Sequence, residues 1–204
     1  MGILPFALAL LVATPAAHTK KKPLAAMDPS VSVRLESGRG IDVQNEERAY
    51  GLGKTVRLLA HAVGEVRRRF ALTPDVVVGD LSFRGGGRMR PHRSHRRGLD
   101  ADVGYYFKDG RPRRWFIAPK GKELDVARQW ALFEALIKTG EVEYLFVSYP
   151  LQATLYAYAR KHGWTEKRLH DVFQWPRHRR QKVGIIRYEH GHNDHFHVRF
   201  TSDL

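Results

Sequence analysis

The chain has 204 residues, a length that suits one globular domain and is short for two. Hydrophobic residues make up 43% and charged residues 27%, a balance that excludes a chain disordered over its whole length. The 35 Lys and Arg residues exceed the 21 Asp and Glu residues, and the formal net charge of +14 favours polyanionic surroundings: nucleic acid, anionic lipid or an acidic cell-wall polymer. Cysteine is absent from the sequence, which excludes disulfides, thiolate metal sites and a cysteine nucleophile.

The N-terminal residues indicate export. An apolar run over residues 3–12 is followed by an alanine-rich segment and then by three consecutive lysines. This run is shorter than the ~20 residues that a transmembrane helix needs, and small residues after a short apolar core are typical of a secretory signal. The alternative is a buried N-terminal helix. We predict a periplasmic or secreted protein without a transmembrane segment, in three parts: a signal peptide over residues 1–17, a basic flexible arm over 18–40 and a folded domain over 41–204.

The hydrophobic pattern then changes between helical and strand periodicity. A helix that starts at Thr55 is expected to end at Thr73-Pro74, because the residue before a proline disfavours helical backbone. In chain order, the elements predicted after it are a strand at 76–78, a strand at 101–107, a helix at 125–138, a strand at 142–147, a helix at 151–161, a strand at 184–188 and a strand at 196–200. The sequence contains no internal repeat, and we expect one α+β domain.

Two short segments, residues 91–102 and residues 190–199, hold six of the eleven histidines. Residues two apart in a strand project to the same face, so we expect His195, His197 and Arg199 on one face of the last strand. The apolar residues between them would face the core. By the same rule, Asp100 and Asp102 share a face where the earlier segment enters its strand.

These two segments contain a candidate metal site. Gly98 allows the loop before the strand to turn back, so that His95 approaches Asp102. Catalytic zinc takes three protein ligands plus a water, and neutral imidazole nitrogens and carboxylate oxygens are suitable ligands. We therefore expect His95, Asp102 and His197 to bind Zn²⁺. The alternatives are a basic surface loop for the first segment and a solvated edge strand for the second, but their combination in a chain without thiols favours a metal.

The two histidine segments are part of a set of four sequence blocks between Gly79 and Arg199. They are Gly79-Asp80-Leu81-Ser82, Gly85-Gly86-Gly87, His92-x-x-His95-x-x-Gly98-Leu99-Asp100-x-Asp102 and Gly191-His192-x-x-His195-x-His197-Val198-Arg199. Together they resemble the penicillin-insensitive murein endopeptidase family. The resemblance implies a small antiparallel sheet that carries a zinc site and is flanked by helices. It also implies hydrolysis of the peptide cross-links of peptidoglycan, at the bond from D-alanine to diaminopimelate.

The resemblance also implies roles by position. The metal ligands would be His95, Asp102 and His197, with His92 as an accessory histidine near the metal, and the catalytic residues would be His195 and His192. His195, two residues from a metal ligand on the same strand face, would take and return the proton. His192 would either orient that imidazole or stabilise the oxyanion. Asp125 is a candidate for a further acidic ligand from mid-chain.

Two other functions stay open. The positive charge and clustered histidines also suit a metal-dependent nuclease, but no basic stripe is interleaved with aromatic residues, and we expect no nucleic-acid partner. A non-catalytic, zinc-containing wall-binding module would be marked by loss of a ligand or of the base, and all of these residues are present. We interpret most arginines near the first histidine segment as solvated surface, and a minority as binding sites for stem-peptide carboxylates. The oligomeric state is not predicted.

Overall fold

The computed structural model describes residues 30–202. The predicted signal peptide and residues 18–29 of the predicted arm lie outside the described residues. The described helices are α1 (Gly53–Arg69), α2 (Val126–Lys138), α3 (Tyr149–Lys161) and α4 (Glu166–Val172). The described strands are β1 (Val31–Ser32), β2 (Ile41–Val43), β3 (Tyr50–Gly51), β4 (Val76–Val78), β5 (Asp100–Gly104), β6 (Val142–Phe146), β7 (Ile186–Arg187) and β8 (His195–Phe200). None of the helices in this part of the chain is both long and apolar enough to cross a membrane.

Six of the strands form one mixed sheet in the order β2-β4-β5-β8-β6-β7. Its centre is antiparallel, since β5 pairs with β4 on one side and β8 on the other, and β8 pairs with β6. The two outer pairs, β2 with β4 and β6 with β7, are parallel. The predicted α+β domain with a small antiparallel sheet and flanking helices is therefore confirmed.

One face of the sheet is covered by α1 and α2. The buried side of α1 follows the predicted helical spacing, with Val56, Leu59 and Val63 at 2% exposure or less. On α2, the ring of Phe133 packs edge-to-face against that of Phe196 on β8, with ring centroids 4.8 Å apart. The helices and the sheet therefore share one hydrophobic core.

Strand β8 alternates as its sequence predicts. Phe196, Val198 and Phe200 are fully buried against the core, while His195 and Arg199 lie on the opposite face and are partly exposed. This alternation leaves one face of the central strands free of helices. The polar side chains of β5 and β8 meet on that face.

Some elements were not expected from the sequence. The described part of the predicted arm contributes β1 and a 3-10 helix over Val33–Glu36, and Val33 is fully buried. Helix α4 has seven residues, too few for a clear apolar period. The strand predicted at 101–107 ends at Gly104, and Phe107 forms an isolated bridge with Leu124 instead.

Candidate metal centre and active site

The pairing of β5 with β8 brings together polar residues that are about 95 positions apart in the chain. In this antiparallel register Asp102 lies opposite His197, Gly104 opposite His195 and Asp100 opposite Arg199. Residues directly opposite one another have Cβ atoms about 4.5–5.5 Å apart, so their side chains meet. The two histidine segments therefore form one site.

The loop before β5 brings His95 to the same place. Gly98 adopts the left-handed backbone (φ +67°) that lets this loop turn into the strand. His95 is fully buried, and its Nδ1 lies 3.0 Å from the carbonyl oxygen of Leu81. A carbonyl oxygen only accepts, so Nδ1–H donates and the lone pair of Nε2 is directed at Asp102 and His197.

Three ligand-type atoms converge at the centre of this cluster. His95 Nε2 lies 3.3 Å from Asp102 Oδ1 and 3.1 Å from His197 Nδ1, and these last two atoms are 3.0 Å apart. All three residues are 3% exposed or less. His92 adds a fourth side chain, since ligand atoms of His92, His95 and Asp102 all lie within 4.8 Å of one another. The residues placed to hold a metal are therefore His92, His95 and Asp102, and His197 Nδ1 lies within 3.1 Å of ligand atoms of the last two.

The electrostatics of the cluster suit a bound cation. Burial alone would raise the pKa of Asp102, but hydrogen bonds with His197 and His95 hold it well below its usual value. Burial likewise opposes protonation of His197, and its hydrogen bonds with Asp100 and Asp102 raise its pKa to about 9. A buried carboxylate that stays ionised needs positive charge beside it, which either protonated imidazole or a metal ion supplies.

Two further carboxylates hold the imidazoles of His197 and His92. Asp100 is fully buried, and its Oδ1 accepts from His197 Nε2 at 3.0 Å. The same carboxylate pairs with Arg199 Nη1 at 2.9 and 3.1 Å. Asp80 Oδ2 lies 2.8 Å from His92 Nε2. Carboxylates behind metal-binding imidazoles fix the ring orientation and raise ligand basicity.

His195 stands at the more open edge of the cluster, with its side chain 15% exposed. Its Nδ1 donates to Asp194 Oδ1 at 2.7 Å, and its Nε2 lies 3.8 Å from Asp102 Oδ1. The ring of Phe116 stacks on the imidazole, with centroids 4.7 Å apart and planes 19° apart. The lone pair of Nε2 therefore faces the cluster, while both the ring plane and Nδ1 are held by neighbours.

His192 lies beside His195, with ring centroids 5.1 Å apart. Its Nδ1 is directed at the carbonyl oxygens of Glu189 (3.2 Å) and His190 (3.1 Å), so this nitrogen is the donor. Burial, with the nearby imidazoles of His195 and His197, lowers the pKa of His192 to about 4. His192 is therefore neutral near pH 7, and its Nε2 is an acceptor.

Asp125 does not belong to the cluster. Its Oδ1 accepts from the backbone N–H of Arg128, and its Oδ2 pairs with Arg128 Nη1 at 2.5 Å, so the carboxylate caps α2. Sequence reasoning did not identify Asp80, Asp194 or Phe116 as site residues. Asp80 stood in a quoted motif block and Asp194 beside a predicted catalytic histidine, whereas nothing in the sequence marks Phe116.

The fold and the cluster define an α+β domain with a candidate His-Asp metal centre on the open face of its antiparallel strands. A model of the family described as penicillin-insensitive murein endopeptidase matches residues 37–203. The chain therefore belongs to this family, as the motif blocks predict. A penicillin-insensitive murein endopeptidase of Haemophilus influenzae is 30% identical over 183 residues, which covers 80% of this chain and 56% of the relative. The chain thus spans about half the length of that curated relative.

Proposed function

We propose that the protein is a zinc-dependent endopeptidase that hydrolyses the peptide cross-links of peptidoglycan, at the bond from D-alanine to diaminopimelate. The observation that carries this proposal is the convergence of His95 Nε2, Asp102 Oδ1 and His197 Nδ1 within 3.3 Å of one another, with His195 at their open edge. Membership of the murein endopeptidase family supports the substrate class.

The donor set supports zinc as the metal. Two imidazole nitrogens and one carboxylate oxygen are the ligand types of catalytic zinc sites, whereas Ca²⁺ and Mg²⁺ prefer oxygen alone. Ligands at ~2.0–2.2 Å from a tetrahedral ion stand about 3.3–3.6 Å apart. The separations of 3.0–3.3 Å in this cluster are close to that range. We assign His95, Asp102 and His197 as ligands and His92 as an accessory ligand.

His195 is the residue that transfers protons in the proposed reaction. A bound zinc ion supplies Lewis acidity, which polarises a carbonyl and acidifies water. His195 Nε2 takes a proton from the water that attacks the amide carbon, because Nδ1 is already committed to Asp194. The same nitrogen then returns the proton to the leaving amine, and Asp194 and Phe116 keep the ring in place through both steps.

We assign His192 to positioning rather than to the oxyanion. Its Nδ1–H is directed at two carbonyl oxygens, so the neutral ring presents only an acceptor at Nε2. Its own carbonyl oxygen accepts from Ser148 N–H (3.1 Å) and Tyr105 O–H (3.2 Å), which fixes the loop. The ring therefore has no N–H left to donate to an oxyanion, and it packs beside His195 with ring centroids 5.1 Å apart.

We also propose that residues 1–17 direct export to the periplasm or the outside of the cell and that a basic arm follows them. The arm predicted over 18–40 is too long, because Val33 is fully buried in the hydrophobic core, so we place the start of the peptidase domain before residue 41. The short apolar run and the alanines after it support the export signal. The mass of the mature protein recovered from a producing cell tests the boundary: a new N-terminus after Ala16 or Ala17 is expected, and an intact Met1 would contradict it.

Incubation with purified sacculi tests the activity. The protein should convert cross-linked muropeptide dimers to monomers in the presence of penicillin, because no acyl-enzyme forms for a β-lactam to trap. A chelator should stop the reaction and added Zn²⁺ should restore it. Mass spectrometry of the products identifies the bond that is cleaved. Release of disaccharides with intact cross-links, or activity that survives chelation, would overturn the proposal.

Removal of the ligands tests the metal site. His95→Ala or His197→Ala should leave less than one zinc per chain, because a catalytic site has only three protein ligands. The matched control is His61→Ala on α1, whose side chain is 59% exposed and lies outside the cluster. Metal analysis of the purified proteins should give one zinc for the control. Full zinc content in His197→Ala would exclude this residue as a ligand.

A further inference from the structure

Arg199, which shares a face of β8 with His195 and His197, also lines a concavity beside the His-Asp cluster. The volume of this concavity is about 540 Å³, and its walls come from the loop between β4 and β5 and from β8. We call it the arginine pocket. Its lining residues are Gly87, Arg88, Arg93, Ser94, Arg96, Arg97 and Arg199. Five of these seven described residues are arginines, and none is acidic.

Four of these arginines lack a partner of opposite charge. Arg199 pairs with Asp100 and Glu143. The other four form no ion pair and no side-chain hydrogen bond with any other residue that the structure describes: Arg88, Arg93, Arg96 and Arg97. Elsewhere in the described chain, Arg67 and Arg113 each lie within 3 Å of a carboxylate oxygen. Like charges that share a concavity repel one another and create a field that attracts an anion.

The loop that carries these arginines is anchored. Two of its own residues, Met89 and His95, are fully buried. The backbone N–H of Gly87 donates to the carbonyl oxygen of Arg96 at 2.9 Å, and that of Arg96 donates to Ser94 at 2.7 Å. Much of the entropy cost of ordering the backbone is therefore met in folding, which leaves less to oppose binding.

The arginine pocket adjoins the candidate metal centre. Asp100 contacts both, since it accepts from His197 Nε2 at 3.0 Å and from Arg199 Nη1 at 2.9 Å. His197 and Arg199 are two residues apart on β8, a distance of about 6.8 Å. An extended peptide covers this distance with about two residues.

We propose that the arginine pocket is a substrate subsite that binds a peptide carboxylate within about two residues of the scissile amide. This inference rests on the proposed peptidase function and names the feature of the substrate that the enzyme selects. The planar guanidinium offers two parallel N–H donors that match the two oxygens of a carboxylate. A neutral amide at the same position presents one oxygen and no charge, so the pocket discriminates against it.

The test uses two soluble cross-linked peptides that differ only in one group near the scissile amide, a free carboxylate or its carboxamide. The variant Arg93→Gln/Arg97→Gln removes two charges from the pocket. Its matched control, Arg84→Gln/Arg90→Gln, removes two charges from exposed positions of the same loop that do not line the pocket. Both variants change the net charge equally, so a general loss of attraction affects them alike.

We expect the pocket variant to raise KM for the carboxylate peptide about tenfold or more, with kcat unchanged, because hydrogen bonds to charged groups are lost. KM for the carboxamide peptide should be the same in all three proteins. Arg93→Lys/Arg97→Lys keeps the charge but loses the two parallel N–H donors of each guanidinium. Its KM for the carboxylate peptide should therefore lie between those of the wild type and the Gln variant. This variant also guards against misfolding of the Gln variant.

Calorimetry with a carboxylate-bearing product peptide gives a readout that does not need turnover. If both peptides are cleaved and the pocket and control variants shift KM equally, the peptidase function stands and the subsite is wrong. If neither peptide is cleaved but the pocket variant alone weakens binding, the subsite stands and the peptidase function is wrong. Weaker binding to sacculi without an effect on the short peptides would make the arginines a general polyanion surface and would also overturn the subsite.

Discussion

Replacing Asp100 by asparagine tests whether the carboxylate behind His197 tunes the metal site. Asp100 is fully buried, and its Oδ1 accepts from His197 Nε2 at 3.0 Å. This hydrogen bond commits Nε2 as the donor, so Nδ1 is the nitrogen that would give up its proton and present a lone pair to a metal. Asparagine keeps the shape of the side chain but removes its charge. The His197 ring therefore becomes less basic, while the three proposed ligand side chains stay in place.

Loss of such a partner costs about 10–100-fold in metal affinity. This corresponds to ~1.4–2.7 kcal/mol. We expect the Kd for Zn²⁺ to rise by this factor in Asp100→Asn, measured by competition with a chromophoric chelator at fixed pH and salt. At a zinc concentration above both dissociation constants, the stabilisation that zinc adds to folding should fall by the same ~1.4–2.7 kcal/mol. Chemical unfolding with and without zinc measures this second quantity independently.

Glu143→Gln is the matched control. Glu143 Oε2 accepts from Arg199 Nε at 3.1 Å, and its side chain is 52% exposed. It shares Arg199 with Asp100 and has no contact with His197 among the hydrogen bonds of the described residues. The control should therefore bind zinc as the wild type does, within about twofold. Equal Kd values for Asp100→Asn and the wild type, or equal losses in the two variants, would refute a role for Asp100 in metal binding.

The face of β8 on which each site residue lies was predictable, because alternation along a strand is a local property of the sequence. The alternation of His195, Phe196 and His197 assigns each side chain to a face before any partner strand is known, and the structure agrees. Likewise, the position of Gly98 before Asp100 suggested a loop that turns back, and its φ of +67° agrees. Patterns of two to four residues carry this information without knowledge of the tertiary fold.

The contacts that orient the imidazoles were not predictable in this way. Which nitrogen of His197 faces the cluster depends on Asp100, 97 residues away, and on a register that only the folded sheet fixes. Phe116 reaches His195 from a loop without periodicity, over a distance of 79 residues. Strands β1 and β3 have two residues each, which is too short for an alternation of polar and apolar side chains to be recognised in the sequence. The orientation of His197, the position of Phe116 and the pairing of β1 with β3 all depend on contacts between residues that are distant in the sequence.

Two further predictions concern His195 and its surroundings. His195→Ala should retain one zinc per chain and lose at least ~100-fold in kcat, because a proton-transfer group contributes about 10²–10⁴-fold and is not a ligand; loss of zinc from this variant would make His195 a ligand. Gly79→Ala should lower kcat without lowering zinc content, because a Cβ built at Gly79 lies 2.6 Å from Phe116 Cζ and 2.9 Å from Cε2, and this is the ring that stacks on His195. Such a contact forces the ring away, and loss of aromatic stacking costs ~0.5–1.5 kcal/mol, or about 2–13-fold if it appears in the barrier. The matched control is Gly64→Ala on α1, where a Cβ meets nothing within 4 Å and alanine favours the helix by about 0.5–1 kcal/mol, so this variant should be fully active and slightly more stable. Removing the obstructed ring in Gly79→Ala/Phe116→Ala should give the same kcat as Phe116→Ala alone, because the clash and the stack involve one group. A further loss in the double variant would show that Gly79 acts through another contact, such as Gln44 Oε1 at 3.1 Å from the same Cβ.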